Sequence, residues 1–199
     1  MRSYGIMGGT YDPVHKGHIH VCKAFANELK LEKVFIIPTN LPPHKSESQT
    51  SAVDRLNMIR IAASGDKRFI ASDIEIRRGG KSYTADTLLS LVSVYSDTRF
   101  FLLTGSDMFF TFEKWYRPDI IAKNCILCTV PRKASEMPSL ELKAEELEKV
   151  FGAKCKILNI SAIEISSTEL RARIGRGEDV SAFIDSGVLT YIQKNNIYA

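Results

Sequence analysis

The chain has 199 residues, 44% hydrophobic and 25% charged, the make-up of a globular protein long enough to bury a substantial core. No apolar run approaches the roughly 20 residues of a membrane helix, and MRSYGIMGGT has no signal-peptide pattern, so a cytoplasmic single domain is expected. The net charge of +4 is spread along the chain, which suits phosphate-bearing small molecules and falls short of a nucleic-acid-binding stripe.

SYGIMGG predicts a buried strand ending in glycines. After Lys16, the spacing of Cys22, Phe25, Ala26 and Leu29 predicts a helix. KVFIIP is a second strand, and TNLPPHKSESQTS a proline-punctuated loop. VDRLNMIRIAA places Leu56, Ile59 and Ala63 on one helical face, RFIASDIEIRR alternates like a strand, and TADTLLSLVSVY is a helix with Thr84 as N-cap. TRFFLLTG is a buried strand closing on Gly105. NCILCTVP and CKILNI are further strands with the amphipathic helix SLELKAEELEKVF between them. SSTELRARIGRG is a short helix ended by glycine, and VSAFIDSGVLTYIQKNN supplies a C-terminal helical part. Strands alternating with helices, with continuously apolar central strands, predict an α/β fold: a doubly wound, mainly parallel, Rossmann-like sheet. Residues 1–199 form one domain in this reading, with the helical part from about 166 to 199 packed on it.

Cys125 and Cys128 form a C-x-x-C inside an apolar strand, where residues three apart face opposite sides of the sheet. They read as small buried hydrophobes rather than metal ligands or a redox pair.

The first βα turn, GGTYDPVHKGHIH, holds three of the four histidines. Glycines after a buried strand let the backbone approach a phosphate. His15 and His18 share a face if the helix starts here; Gly17 leaves that face open, and His20 lies about 200° round from His18. Such a pair suits a metal or phosphoryl oxygens, or simply a capped helix start. A metal lacks an obvious third ligand beyond Asp12, so no protein metal site is assigned. At the far end, ISSTELR opens a helix with two serines, an anion-binding start, and carries Arg171 one turn in.

These two elements resemble the H-x-G-H and I-S-S-T-x-x-R signatures of the nucleotidyltransferase superfamily. PTNLPPHK, SYTADTL and GSDMFFTFEKWYRP narrow the resemblance to bacterial nicotinate mononucleotide adenylyltransferases, with motifs in family order from Gly8 to Arg171. Tyr11 replaces the usual phenylalanine. The resemblance implies transfer of the adenylyl group of ATP to nicotinate mononucleotide, releasing pyrophosphate, in NAD biosynthesis. It implies ATP contacts from Gly8, Gly9, Thr10, His15, His18, Lys45, Gly105, Ser166, Ser167 and Arg171, with His15, His18 and Arg171 catalytic. It assigns nicotinate mononucleotide to Lys45, Thr84, Asp107, Trp115 and Tyr116. Mg²⁺ is expected on the triphosphate with few or no protein ligands.

Taken singly, Trp115 reads as core, Lys45 as a solvated loop lysine and Asp107 as a plain acidic loop residue. The rival functions are an adenylyltransferase acting on nicotinamide mononucleotide or phosphopantetheine, and a nucleotide-binding sensor without catalysis. Small-molecule substrates are expected, without nucleic acid or membrane, and a homo-oligomer is compatible with the sequence.

Overall fold

The structure, a computed structural model, describes residues 1–42, 50–160 and 165–198. Lys45 and most of the 39–51 loop lie outside the described residues.

Six strands form one sheet: β1 (Arg2–Gly9), β2 (Lys33–Pro38), β3 (Phe69–Ala71), β4 (Thr98–Gly105), β5 (Cys125–Val130) and β6 (Lys154–Ile157). Their order is β3-β2-β1-β4-β5-β6, with every neighbouring pair parallel. The order reverses between β1 and β4, so the crevice at the carboxyl ends of these two strands is where a ligand is expected.

Alternation along the strands divides the core in two. Tyr4 and Ile6 of β1, Phe100 and Leu102 of β4, and Cys125 and Leu127 of β5 face one layer. Phe101, Leu103, Cys128 and Val130 face the other. The C-x-x-C pair is thereby split across the sheet. Burial pushes both thiols up, Cys128 to about 12, so both stay protonated.

The second of these layers holds α1 (Lys16–Glu28), α2 (Ala52–Ala63), α8 (Ser167–Gly175) and α9 (Ser186–Lys194). Leu170, Val180, Ile184, Val188 and Ile192 are buried there with Cys22, Phe25 and Ile59, so the C-terminal helices share the core of the sheet. Gly5 makes this layer close: a Cβ there would lie 2.9 Å from Leu31 Cδ1. The other layer holds α4 (Thr84–Val94), α6 (Pro118–Asn124) and α7 (Met137–Phe151).

Two local expectations are corrected. RFIASDIEIRR is strand only over Phe69–Ala71; Ile74–Arg78 is a short helix, α3. Its inward group is Glu75, which accepts a 2.7 Å bond from Thr87 Oγ1, and Arg77 pairs with Asp73 at 2.9 Å across one turn. Two isoleucines two apart imitate a strand only while the buried glutamate is counted as exposed. Thr84 is the first residue of α4 rather than its cap; Tyr83 holds that position without a side-chain cap bond. Residues 106–124 form α5 (Ser106–Phe110), a 3₁₀ turn (Phe112–Lys114) and α6.

Candidate active site

β1 ends at Gly8 and Gly9 on the crevice. The ring of Tyr11 packs against Gly9, where a Cβ would lie only 3.0 Å from it, and the Tyr11 hydroxyl donates to Met7 O at 2.9 Å. This ring closes edge-on against His18 at 5.0 Å. His15 is the N-cap of α1 and its backbone N–H donates to His18 Nδ1 at 3.3 Å. That bond makes Nδ1 the acceptor, so neutral His18 carries its proton on Nε2. The His15 and His18 rings stack at 3.7 Å, and buried His15 Nδ1 has no hydrogen-bond partner. Burial lowers His15 to about 4 and, with His15 beside it, takes His18 well below the ordinary imidazole range. Both are neutral donors near pH 7. His20, expected apart from the pair, is exposed. It lines a cavity of about 310 Å³ with Val14, Ile19, Ala62 and Val188, which of the expected site residues includes only His15.

The far segment docks on this turn. Ser166 caps α8, accepting from Glu169 N at 3.1 Å, while Ser167 Oγ donates to Pro13 O at 3.0 Å. Arg171 Nη1 donates to Asp12 O at 2.6 Å and Nη2 to Thr168 Oγ1 at 3.3 Å. The bonds to Pro13 and Asp12 span more than 150 residues of sequence and put Arg171 beside the histidine turn.

Two residues of this network received no role from the sequence. Arg55 of α2 is 1% exposed, and its guanidinium donates to the carbonyls of Thr10 at 2.8 Å, Thr39 at 2.7 Å and Thr50 at 3.3 Å. A buried cation needs such partners. The signal was present: Arg55 lies four residues before Ile59, on the helical face read as apolar. Tyr198 donates to the Asp12 carboxylate across 186 residues. No local pattern marks a tyrosine outside any regular element.

A chain of bonds runs from the turn toward the other half of the crevice. Thr39 N donates to Gly9 O at 2.9 Å, Asn40 N to Ser82 Oγ at 2.8 Å, and Ser82 N to Leu41 O at 2.9 Å. Ser82 leads into α4, whose first residue, Thr84, presents an N–H that no helical carbonyl can satisfy. The Tyr83 ring packs tilted on Tyr116 at 4.4 Å, and Trp115 packs on buried Phe112 at 5.5 Å with its Nε1 buried and unpartnered. Gly105 ends β4, and Asp107, in α5, pairs with Arg132 at 2.5 Å with both side chains 62% exposed. Among the described residues, no group of three or more His, Cys, Asp or Glu side chains gathers where it could hold a metal.

The cytidylyltransferase-like family model matches residues 6–173, a span that takes in the histidine turn and Arg171 alike. The class is therefore that of the nucleotidyltransferases with this fold. Within it, the chain is 35% identical over 199 residues to a probable nicotinate-nucleotide adenylyltransferase of Lachnoclostridium phytofermentans, covering all of both chains. It is 32% identical over 199 residues to the one of Clostridium tetani, again covering all of both. It belongs to this family of nicotinate-nucleotide adenylyltransferases. The fold matches the Plasmodium falciparum nicotinic acid mononucleotide adenylyltransferase complexed with NaAD, with a TM-score of 0.80 at 21% identity, over 100% of this chain and 98% of that one.

Proposed function

We propose that the chain transfers the adenylyl group of ATP to nicotinate mononucleotide, forming nicotinate adenine dinucleotide and pyrophosphate. Family membership supports the activity. The observation that carries the mechanism is the docking of Arg171 and Ser167 on the turn that holds the stacked His15–His18 pair. In this reading residues 1–199 act as one domain in the cytoplasm. No helix among the described residues is long and apolar enough to cross a membrane.

The acceptor phosphate is already an anion, so it attacks the α-phosphorus without a protein base. Catalysis then rests on alignment and on donors placed where negative charge grows. His18 Nε2–H is the donor for the α-phosphoryl oxygens, its tautomer fixed by the His15 backbone. His15 and Arg171 hold the β- and γ-phosphates with the amides of Gly9 and Thr10 and the opening of α8 at Ser166 and Ser167. Imidazoles, a guanidinium and amides suit phosphoryl oxygens. Mg²⁺ enters as part of the ATP substrate, neutralising phosphate charge. At the other end, Trp115 offers a face to the pyridine ring, and the Thr84 and Tyr116 amides offer N–H donors to its carboxylate. Asp107 is assigned to a ribose hydroxyl, and Lys45 to the phosphates on its sequence context alone.

Pyrophosphate release from Mg-ATP with nicotinate mononucleotide, nicotinamide mononucleotide or phosphopantetheine tests this. Turnover highest with the acid is expected. Absence of turnover with it defeats the reading.

A further inference from the structure

Asp12 is held from two directions. Its backbone carbonyl takes the 2.6 Å bond from Arg171, and its carboxylate takes the hydroxyl of Tyr198. Asp12 is 3% exposed, so both its side chain and its carbonyl sit in packed surroundings. Tyr198 is itself well seated. Its backbone is left-handed at φ 68°, the preceding Ile197 N–H is bonded to Ile192 O at 3.0 Å, and its carbonyl lies against Gly175 at the end of α8. One residue thus lies beside the end of the helix that carries Arg171, where a Cβ at Gly175 would come within 3.6 Å of its carbonyl, and bonds the turn on which Arg171 docks. The guanidinium of Arg55 lies within electrostatic reach of the Asp12 carboxylate and the Tyr198 phenol, and Arg171 within reach of that phenol. Burial, with the Asp12 carboxylate beside it, pushes the phenol far above its ordinary range, so it remains a donor throughout the working pH range.

We propose that Tyr198 is a positioning residue for adenylyl transfer: by bonding the Asp12 carboxylate it holds the carbonyl seat of Arg171, and through Arg171 it sets the grip on the ATP phosphates. This rests on the adenylyltransferase reading for its substrate, while the geometry is independent of the acceptor. Nothing in the proposal places Tyr198 in contact with substrate. Its hydroxyl donates to Asp12, 186 residues away in sequence.

The test is Tyr198→Phe, which keeps the ring and removes the bond, alone and combined with Arg171→Ala. ATP KM should rise about tenfold in the single variant and kcat fall several-fold, the scale of one charge-assisted hydrogen bond. The KM for nicotinate mononucleotide should stay within about twofold and the melting temperature within a few degrees. In the Arg171→Ala background, Tyr198→Phe should change nothing further, because its effect travels through that guanidinium. Calorimetric binding of ATP without acceptor reads the same coupling even if the acceptor were misassigned. A Tyr198→Phe enzyme with wild-type ATP affinity, or an equal loss in both backgrounds, overturns the proposal. So does a general loss of stability with both KM values rising together.

Discussion

At the end of the crevice proposed for the ATP phosphates His15 is 7% exposed, Asp12 3% and Arg55 1%, and the His15 backbone N–H, the Asp12 carbonyl and carboxylate and the Arg55 guanidinium are hydrogen-bonded within the fold. At the end proposed for the acceptor Tyr116 is 48% exposed, and the Asp107–Arg132 pair sits in water on both sides. The first end is rigid before any ligand arrives, which is what charge stabilisation in a transition state requires. The second end offers faces and amides that a ligand can settle on, which is what recognition requires. Substitutions at the two ends should therefore fail differently: in turnover at the first, in acceptor affinity at the second.

The largest effect should come from His18. Its Nε2–H is aimed by the bond from the His15 backbone and by the ring of Tyr11. Removing one preorganised donor costs on the order of 10²–10³ in kcat. His18→Ala should show that loss in single-turnover assays while the ATP dissociation constant moves by less than about tenfold. Near-normal turnover would break the comparison at its strongest point.

The burial of His15 has a consequence for stability. Its imidazole is lowered to about 4, while the unfolded chain keeps the ordinary 6.5. Between those values the unfolded state binds the proton and the folded state does not, so stability rises with pH. The contribution is fully present above about 6.5 and is lost as pH falls toward 4, at up to about 1.4 kcal/mol per pH unit and roughly 3 kcal/mol in all. His18 acts with the same sign. Denaturant unfolding of the ligand-free protein from pH 7 to 4.5 should be visibly flatter for His15→Asn than for wild type. Identical slopes would mean that the imidazole is not held in the dry site described.

Much of this was legible beforehand, and the reason is local chemistry. The strand-glycine-histidine turn and the serine-capped helix each announce themselves within a dozen residues, because amides at a helix start and glycines after a strand do the same thing in any fold. The sheet was legible because its central strands are apolar throughout. The partners of Arg55 and any role for Tyr198 were not: the place of Arg55 on an apolar helical face signalled burial, but such an arginine and a tyrosine beyond the last helix acquire partners only when distant segments meet. The α3 segment misled because a buried glutamate bonded to Thr87 is indistinguishable, in sequence, from an exposed one.

The smallest effect sharpens the open end. Trp115 is half-buried, one face against Phe112, and Phe112 is itself 1% exposed. A core role and a platform role predict opposite balances for Trp115→Ala. As a platform, its loss should raise the KM for nicotinate mononucleotide about five- to tenfold, the scale of one aromatic stacking contact, with kcat and ATP KM little changed. As core, it should lower stability by about 3 kcal/mol or more and leave the acceptor KM alone. Trp115→Phe separates the two further, since a smaller ring still stacks but leaves a gap over Phe112. Retained acceptor affinity with lowered stability would assign Trp115 both faces, one to each role. Unchanged affinity in both variants would move the pyridine ring elsewhere in the crevice, toward the paired rings of Tyr83 and Tyr116.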